Sequence, residues 1–167
     1  VKYALIDNEG VFHFQGKLPS KADISAEAVI GQLVTACKET MASAQQLGVT
    51  IEGIGIGTPG IVDETNRIVL GGAENIKGWE NLNLADRIEA ETHLPVQMGN
   101  DANLMGLGET MYGAGQGARN VVFLTVGTGI GGAVVIDGKL FNGFANRGTE
   151  LGHVPSLPTV SLVHAVP

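Results

Sequence analysis

Apolar positions at helical spacing mark the longest predicted element of the chain. They recur over residues 26–47, where Ser25 stands ahead of the run as an N-cap and Gly48 ends it. Shorter patterns of the same kind predict a second helix over 84–92 and a third over about 100–111. The chain is therefore expected to carry three amphipathic helices.

Alternating or wholly apolar runs predict the strands between these helices. Residues 2–7 and 11–16 form a hairpin pattern, with Gly10 in the turn where a positive φ is wanted. The run 51–57 is nearly all apolar, which is typical of a strand buried on both faces in a parallel sheet. Two further strands are expected at 95–99 and 121–126. Strands alternating with helices indicate the α/β class.

The glycine-rich connector at 113–118 follows the third helix. Its sequence, GAGQGA, is of the kind that separates two lobes. The chain of 167 residues is long enough for one ordinary domain or two small lobes, and its 44% apolar residues are enough to build a core.

Charge, hydropathy and cysteine content argue against several classes of protein. The formal charge of −7, with 17 acidic against 10 basic residues and no basic run, argues against a nucleic-acid surface in this segment. No apolar run approaches the roughly 20 residues that span a bilayer, so we expect no membrane contact and a cytoplasmic protein. The single cysteine, Cys37, excludes an internal disulfide, and its place on the apolar face of a helix favours a buried thiol.

A glycine-rich turn at 126–132 carries the clearest indication of a ligand. Its sequence, VGTGIGG, lies between two apolar, β-branched runs. Glycines permit positive φ and bring bare N–H groups close to an anion, so the turn predicts a phosphate site; a tight hairpin without a ligand is the alternative. The spacing also satisfies G-x-G-x-x-G. The residues after it alternate as a strand does, however, whereas a dinucleotide site requires a helix there.

Asp101 is the best candidate for a reacting carboxylate. It stands where a predicted strand ends and a helix begins, and a helix N-terminus stabilises a negative charge that can accept a proton. The competing interpretation is that Asp101 only caps the helix. Glu150 and His153 form a second polar pair, three residues apart in a glycine-loosened segment, which either converges on a small polar ligand or is simply solvated.

Five motifs, in this order and spacing, resemble the ROK family (repressor, open reading frame, kinase) over residues 1–154. They are GIGTPGIVD, ENIKGWENLNLADRI, GNDAN, VGTGIGGAVVIDGKLFNG and GTELGH. The resemblance implies the two-lobed, actin-like and ribonuclease H-like α/β ATPase fold, with an N-terminal lobe over 1–116 and the beginning of a C-terminal lobe over 117–167. It also implies phosphorylation of a hexose or hexosamine hydroxyl with ATP and Mg2+.

The same resemblance implies a role for each candidate residue. Asp101 would be the catalytic base that takes the proton from the attacking sugar hydroxyl. No residue of this chain is expected to be a metal ligand. The resemblance assigns sugar contacts to Gly60, Asn100, Glu150 and His153, and ATP phosphate contacts to Thr128, Gly129, Gly131 and Gly132.

Two departures from the family pattern concern the ends of the chain. The family opens with an Asp and a Gly-Gly-Thr phosphate loop ahead of the position of Lys2, and this chain begins after them. Beyond the position of His153 the family has a cysteine cluster that shares a zinc with this histidine, and then a further sugar-binding glutamate, and none of these is present here. We therefore expect an internal fragment of a glucokinase-like or fructokinase-like enzyme, inactive or nearly so by itself.

Two alternatives to the kinase remain open at this point. The first is a sugar-responsive transcriptional repressor of the same family, whose DNA-binding region would precede this segment. The retained Asp101 favours the enzyme, because a sensor has no need to deprotonate its sugar. The second is a sugar-binding or subunit-interaction module without catalysis. The expected partners are a small-molecule sugar and, in the full-length protein, a second copy in a homodimer.

Overall fold

The computed structural model describes residues 1–65, 67–127, 130–149 and 151–153. The helices are α1 (Ala26–Leu47), α2 (Leu84–Thr92) and α3 (Asp101–Tyr112), followed by two short 3-10 helices at Phe144–Asn146 and Leu151–His153. The strands, in chain order, are β1 (Lys2–Ile6), β2 (Phe12–Lys17), β3 (Ile54–Thr58), β4 (Ile61–Asp63), β5 (Ile68–Gly71), β6 (Val96–Asn100), β7 (Val121–Val126), β8 (Ile130–Ile136) and β9 (Lys139–Leu140).

The three predicted helices are confirmed, together with the caps that bound α1. The Ser25 side chain accepts a hydrogen bond from the Ala28 N–H, and Gly48 ends α1 with a φ of 69°. The left-handed conformation at Gly48 favours glycine, which explains why the apolar run stops there. In the part of the chain that the structure describes, no helix has the length and apolar character needed to cross a bilayer.

Within the residues that the structure describes, the strands form four small groups, of which one is parallel. β3 runs parallel to β6, in a register that places Ile54 beside Val96 and Thr58 beside Asn100. The antiparallel groups are the hairpin β1–β2, the hairpin β4–β5 and the three-stranded β7–β8–β9. The predicted hairpin turn is confirmed, because Gly10 adopts a φ of 85° between β1 and β2.

The main hydrophobic core lies between α1, α2 and the strands β3 and β6. Leu84 and Ile88 of α2 are completely buried in it, and Val96 of β6 is buried beside them. Full burial of an aliphatic side chain contributes on the order of 2 kcal/mol, so these side chains fix α2 against β6. Cys37 is half-buried at the margin of this core, and burial raises the pKa of its thiol.

The prediction for the strand at 51–57 is right in part. The strand is parallel to its neighbour, but it begins only at Ile54 and is not buried on both faces. Ile56 and Thr58 are buried, while the alternate residues Gly55 and Gly57 are exposed. A Cβ at position 57 would stand 3.5 Å from the Asp101 Cα, an ordinary van der Waals contact. The start of α3 therefore lies directly beside the end of β3.

Trp79 fixes the segment before α2 to the end of β3. Its indole Nε1–H donates a buried hydrogen bond of 2.7 Å to the Thr58 Oγ1, and the ring itself is buried in the core. This confirms the interpretation that Trp79 holds a loop to the core. A buried indole N–H without a partner would be costly, so the position of the Thr58 hydroxyl matters for stability.

Glu89 joins α2 to the turn before β5 and to the start of β6. Its Oε1 accepts a hydrogen bond of 2.5 Å from the Arg67 Nη1 and one of 2.9 Å from the Val96 N–H. The Arg67 guanidinium, helped by the Val96 amide, lowers the pKa of the Glu89 carboxyl from its ordinary value of 4.5.

We predict that Glu89→Gln lowers the melting temperature at pH 7 and that the deficit shrinks as the solution becomes acidic. Since the pKa of Glu89 is lower in the folded state, its stabilisation is complete above pH 4.5 and disappears as the pH falls through the folded value. Thermal unfolding from pH 7 to pH 3 measures this. Glu91→Gln, an exposed change on the same helix, is the control; an equal, pH-independent deficit in both variants would contradict the prediction.

Candidate functional site

The candidate site begins where β3 and β6 end. The two strands are parallel, so their carboxyl ends meet at the same edge of the sheet, with Thr58 beside Asn100. In open α/β sheets ligands bind at this edge, since loops and helix N-termini leave the sheet there. The chain continues from Thr58 into a short turn and β4, and from Asn100 directly into α3.

Asn100 uses its side-chain amide in two directions. The Oδ1 accepts a hydrogen bond of 3.1 Å from the Asn103 N–H and so caps α3. The Nδ2 donates a hydrogen bond of 2.9 Å to the carbonyl oxygen of Gly60. Gly60 has a φ of +93°, and a Cβ there would stand 2.6 Å from the Gly71 carbonyl oxygen, so the turn requires glycine. Asn100 and Gly60, both predicted sugar contacts, are therefore adjacent.

Asp101 is the first residue of α3 and is exposed at its N-terminus. Its Oδ1 accepts a hydrogen bond of 2.9 Å from the Ala102 N–H. The interpretation that Asp101 is only the helix cap is wrong, because the N-cap is Asn100. The structure thus presents an exposed carboxylate at the sheet edge.

The glycine-rich turn joins β7 to β8, and both strands pair antiparallel up to Val126 and Ile130. Thr128 and Gly129 lie outside the described residues. Gly131 and Gly132 lie within β8, and the Gly131 N–H donates a hydrogen bond of 3.1 Å to the Thr125 Oγ1. That amide is satisfied inside the hairpin. A phosphate contact by any of the four predicted residues stays a prediction.

Gly131 also brings β8 close to the candidate base. A Cβ at position 131 would stand 3.3 Å from the Ala102 Cβ, in the first turn of α3 and next to Asp101. Further along, Gly106 of α3 faces Ala133 of β8, where a Cβ on the glycine would stand 2.4 Å from that of the alanine. Small residues on both elements therefore let β8 and α3 pack closely, and the β7–β8 hairpin lies beside the helix that carries the carboxylate.

The described residues on either side of position 150 contact α3 and β8. Before it, the Thr149 Oγ1 donates a buried hydrogen bond of 2.8 Å to the Asn103 Oδ1 in the first turn of α3. After it, Leu151 contacts the backbone of Gly132, where a Cβ would stand 2.6 Å from the leucine Cδ1. Glu150 itself lies outside the described residues. The 3-10 helix ending at His153 is described, but the His153 side chain is not.

The structure therefore brings together Asp101, Asn100, Gly60 and the start of β8, and it places Thr149 against α3. Such an arrangement presents a carboxylate for proton transfer beside a turn that can approach a ligand with its backbone. Asn103 and Thr149 were not predicted from the sequence. They are 46 residues apart and meet only in the folded protein, so the local spacing of residues gives no signal for their buried hydrogen bond.

The comparisons with known proteins agree on one family. The sequence matches the ROK family over residues 1–161. It is 32% identical over 158 residues to a glucokinase of Halalkalibacterium halodurans, which covers 95% of this chain and 47% of that enzyme. The protein is a member of the ROK family.

Solved structures agree with this assignment. A ROK family glucokinase from Streptomyces griseus, in complex with glucose and AMPPNP, has a TM-score of 0.76 and 32% identity over 93% of this chain and 47% of that one. A ROK family transcriptional regulator, a homologue of the E. coli MLC protein, has a TM-score of 0.80 and 27% identity over 98% and 40%. The fold is the α/β, actin-like ATPase fold of these proteins, and the chain spans about half the length of the curated relatives it matches.

We predict that Thr149→Val destabilises the protein by about 1–3 kcal/mol, because the Asn103 Oδ1 would remain buried without its donor. Thr149→Ser, which keeps the hydroxyl, is the matched control and is expected to lose clearly less. Chemical denaturation of the three proteins measures the difference. A valine variant as stable as the wild-type protein would show that the methyl group, which valine keeps, rather than the hydrogen bond stabilises this contact.

Proposed function

We propose that the protein is an ATP-dependent kinase for a hexose or hexosamine hydroxyl, and that Asp101 is its catalytic base. The observation that carries the proposal is the exposed Asp101 carboxylate at the N-terminus of α3, beside β8 and the segment before position 150. The similarity to a glucokinase and to a glucokinase structure with glucose and AMPPNP supports the same reaction.

In the proposed reaction the sugar hydroxyl attacks the terminal phosphorus of ATP. Its oxygen forms the new P–O bond while the bond to the leaving ADP breaks, and the hydroxyl proton passes to the Asp101 carboxylate. Phosphoryl transfer depends on in-line positioning and on neutralising charge more than on covalent chemistry. Asp101 therefore aligns the hydroxyl and accepts its proton late in the step.

The residues present are compatible with ATP and Mg2+ as cofactors. No atom lies within 4 Å of the place where a Cβ on Gly127 would stand, so the exposed start of the glycine turn leaves room for a ligand to approach the backbone. Thr128, Gly129, Gly131 and Gly132 are the proposed phosphate contacts. Mg2+ prefers carboxylate and phosphate oxygens, and when bound with ATP it would neutralise phosphate charge.

The sugar is proposed to lie between Asp101 and the turn at Gly60. Asn100 fixes that turn through its hydrogen bond to the Gly60 carbonyl and retains a second amide hydrogen and lone pair for a hydroxyl. Glu150 and His153 are the further proposed sugar contacts, since the described residues beside Glu150 pack against α3 and β8. Together these groups would bind the hydroxyl groups on the ring of a hexose.

The complete activity is proposed for a longer protein, because this chain spans 47% of the glucokinase relative. We propose that residues 1–116 belong to an N-terminal lobe and residues 117–167 to a C-terminal lobe, with the site between them. By itself the 167-residue chain is expected to be inactive or nearly so. The full-length protein is proposed to be a cytoplasmic homodimer.

A sugar-responsive repressor is the second candidate, and one observation favours it. The structure of a ROK family transcriptional regulator covers 98% of this chain at a TM-score of 0.80. A sensor needs the sugar contacts but not the base. If the full-length protein binds a sugar and transfers no phosphate, the repressor becomes the better proposal.

We predict that Asp101→Asn in the full-length protein lowers kcat about 100- to 10,000-fold, as removal of a general base does, while sugar binding persists. The assay follows ATP-dependent phosphorylation of glucose, fructose, mannose, N-acetylglucosamine and N-acetylmannosamine. Calorimetry measures binding of the accepted sugar. The expected pattern is a loss of kcat with little change in sugar affinity.

The matched control is Asp137→Asn, the same change at an exposed residue at the other end of β8. It should leave kcat unchanged within a factor of about two, because it lies far from the proposed site. Full turnover by the Asp101→Asn protein would remove Asp101 from the catalytic role, whichever sugar is accepted.

A further inference from the structure

Residues 142–148 form a closed loop after β9. The Gly148 N–H donates a hydrogen bond of 2.9 Å to the Asn142 carbonyl, which closes the loop at its neck. At the same neck a Cβ on Gly143 would stand 2.5 Å from the Gly148 Cα, and Gly143 has a φ of 63°. Both features require glycine at position 143. The packing of the neck therefore fixes glycine as the residue that follows Asn142.

An Asn-Gly sequence is open to a reaction that bulkier neighbours hinder. The backbone nitrogen of the following residue attacks the side-chain amide carbon of the asparagine, and a Cβ on the following residue obstructs this approach. Glycine has no Cβ, and its backbone rotates more freely. Among the asparagines of the chain, Asn142 alone is followed by glycine. Whether the folded protein permits the attack depends on how firmly the amide and the attacking nitrogen are held.

Hydrogen bonds hold the Asn142 side chain and the Gly143 nitrogen only weakly. The Asn142 Nδ2 donates to the Glu64 Oε2 at 3.4 Å, longer than the usual range of about 2.7–3.2 Å. Among the described residues, the Asn142 Oδ1 is buried without a hydrogen-bond partner, and the Gly143 N–H donates to no acceptor. Gly143 is also exposed, so solvent reaches it. The attacking nitrogen is therefore free, and one long hydrogen bond holds the amide.

Asn146, in the same loop, shows the opposite arrangement at each point. Its Nδ2 donates a hydrogen bond of 2.7 Å to the Val62 carbonyl. The next residue is Arg147, whose side chain hinders attack and whose N–H already donates to the Phe144 carbonyl at 3.2 Å. Because the two asparagines share one loop and one solvent environment, Asn146 serves as an internal reference for Asn142.

We propose that Asn142 is a site of spontaneous deamidation in the folded protein. The Gly143 nitrogen loses its proton to solvent and attacks the Asn142 Cγ, and the new N–C bond closes a succinimide ring. The Cγ–Nδ2 bond breaks, and the nitrogen takes a proton from solvent and leaves as ammonia. Water then opens the ring at either carbonyl, which gives aspartate or isoaspartate without any oxidant or reductant. The proposal does not depend on kinase activity.

Both products place a carboxylate where the amide faced Glu64. The hydrogen bond to the Glu64 Oε2 is lost, and two like charges then lie side by side, which weakens the contact between the closed loop and the β4–β5 hairpin. Isoaspartate also adds a methylene group to the backbone at the neck, next to the carbonyl that accepts the Gly148 N–H. Deamidation is therefore expected to open the closed loop more often.

Peptide mapping by mass spectrometry tests the proposal on the full-length protein, incubated in mildly alkaline solution. We expect Asn142 to deamidate at least about tenfold faster than Asn146 while the protein stays folded, because glycine follows only the first of them. A urea-unfolded sample gives the rate of the free Asn-Gly sequence. If Asn142 stays intact in the folded protein after the unfolded sample has reacted, the fold protects the residue and the proposal is overturned.

The variant Asn142→Asp of the full-length protein tests the consequence for the closed loop. We expect its Gly148 amide to exchange hydrogen about tenfold faster than in the wild-type protein, because repulsion from Glu64 opens the neck. Adding Glu64→Gln supplies a donor to the new carboxylate and should return exchange to within a factor of about three of the wild-type rate. Unchanged exchange in Asn142→Asp, or equal exchange in the single and double variants, would contradict this effect; if either variant fails to fold, the peptide mapping of the wild-type protein decides.

Discussion

The side chain of Asn100 holds the candidate site together. As the last residue of β6 it accepts the capping hydrogen bond of α3, and it donates to the Gly60 carbonyl across the sheet edge. One amide thus fixes the start of a helix and a strand-to-strand turn relative to each other. Because Asn100 provides the cap, the neighbouring Asp101 side chain is exposed at the helix N-terminus and accepts only the Ala102 N–H among the hydrogen bonds of the described residues.

Helix α3 packs closely against the other parts of the site. Near its middle Gly106 permits the approach of Ala133 in β8, and its N-terminus lies beside β3 at Gly57. The buried hydrogen bond between Asn103 and Thr149 adds the segment before position 150. Three parts of the chain, distant in sequence, therefore take their positions from one helix, and a side chain at Gly106 would displace β8.

Much of this could be predicted from the sequence because its signals are local. The caps Ser25 and Gly48, the apolar period of α1 and the strand-helix junction at Asp101 each depend on a few neighbouring residues, and the structure confirms them. The start of β3 was predicted three residues early and its burial was overestimated. The prediction counted the glycines of this run as apolar residues. Gly55 and Gly57 are exposed, however, and they present backbone rather than a hydrophobic side chain.

The contacts that could not be predicted are those between distant residues. The pair Asn103–Thr149 and the contact of Trp79 with Thr58 depend on the packed fold, and composition or spacing carries no information about which polar groups will meet. The family resemblance supplied what local chemistry could not, namely the expectation that carboxylate, glycine turn and polar pair belong to one site. The fold has been confirmed, whereas the individual site residues remain proposals.

The most direct test of the account is a crystal structure of the full-length protein with its accepted sugar and a non-hydrolysable ATP analogue. We predict that one sugar hydroxyl lies within about 2.6–3.2 Å of the Asp101 carboxylate and faces the terminal phosphate bound at the turn between β7 and β8. A sugar bound elsewhere, or one whose reacting hydroxyl contacts a different carboxylate, would contradict it.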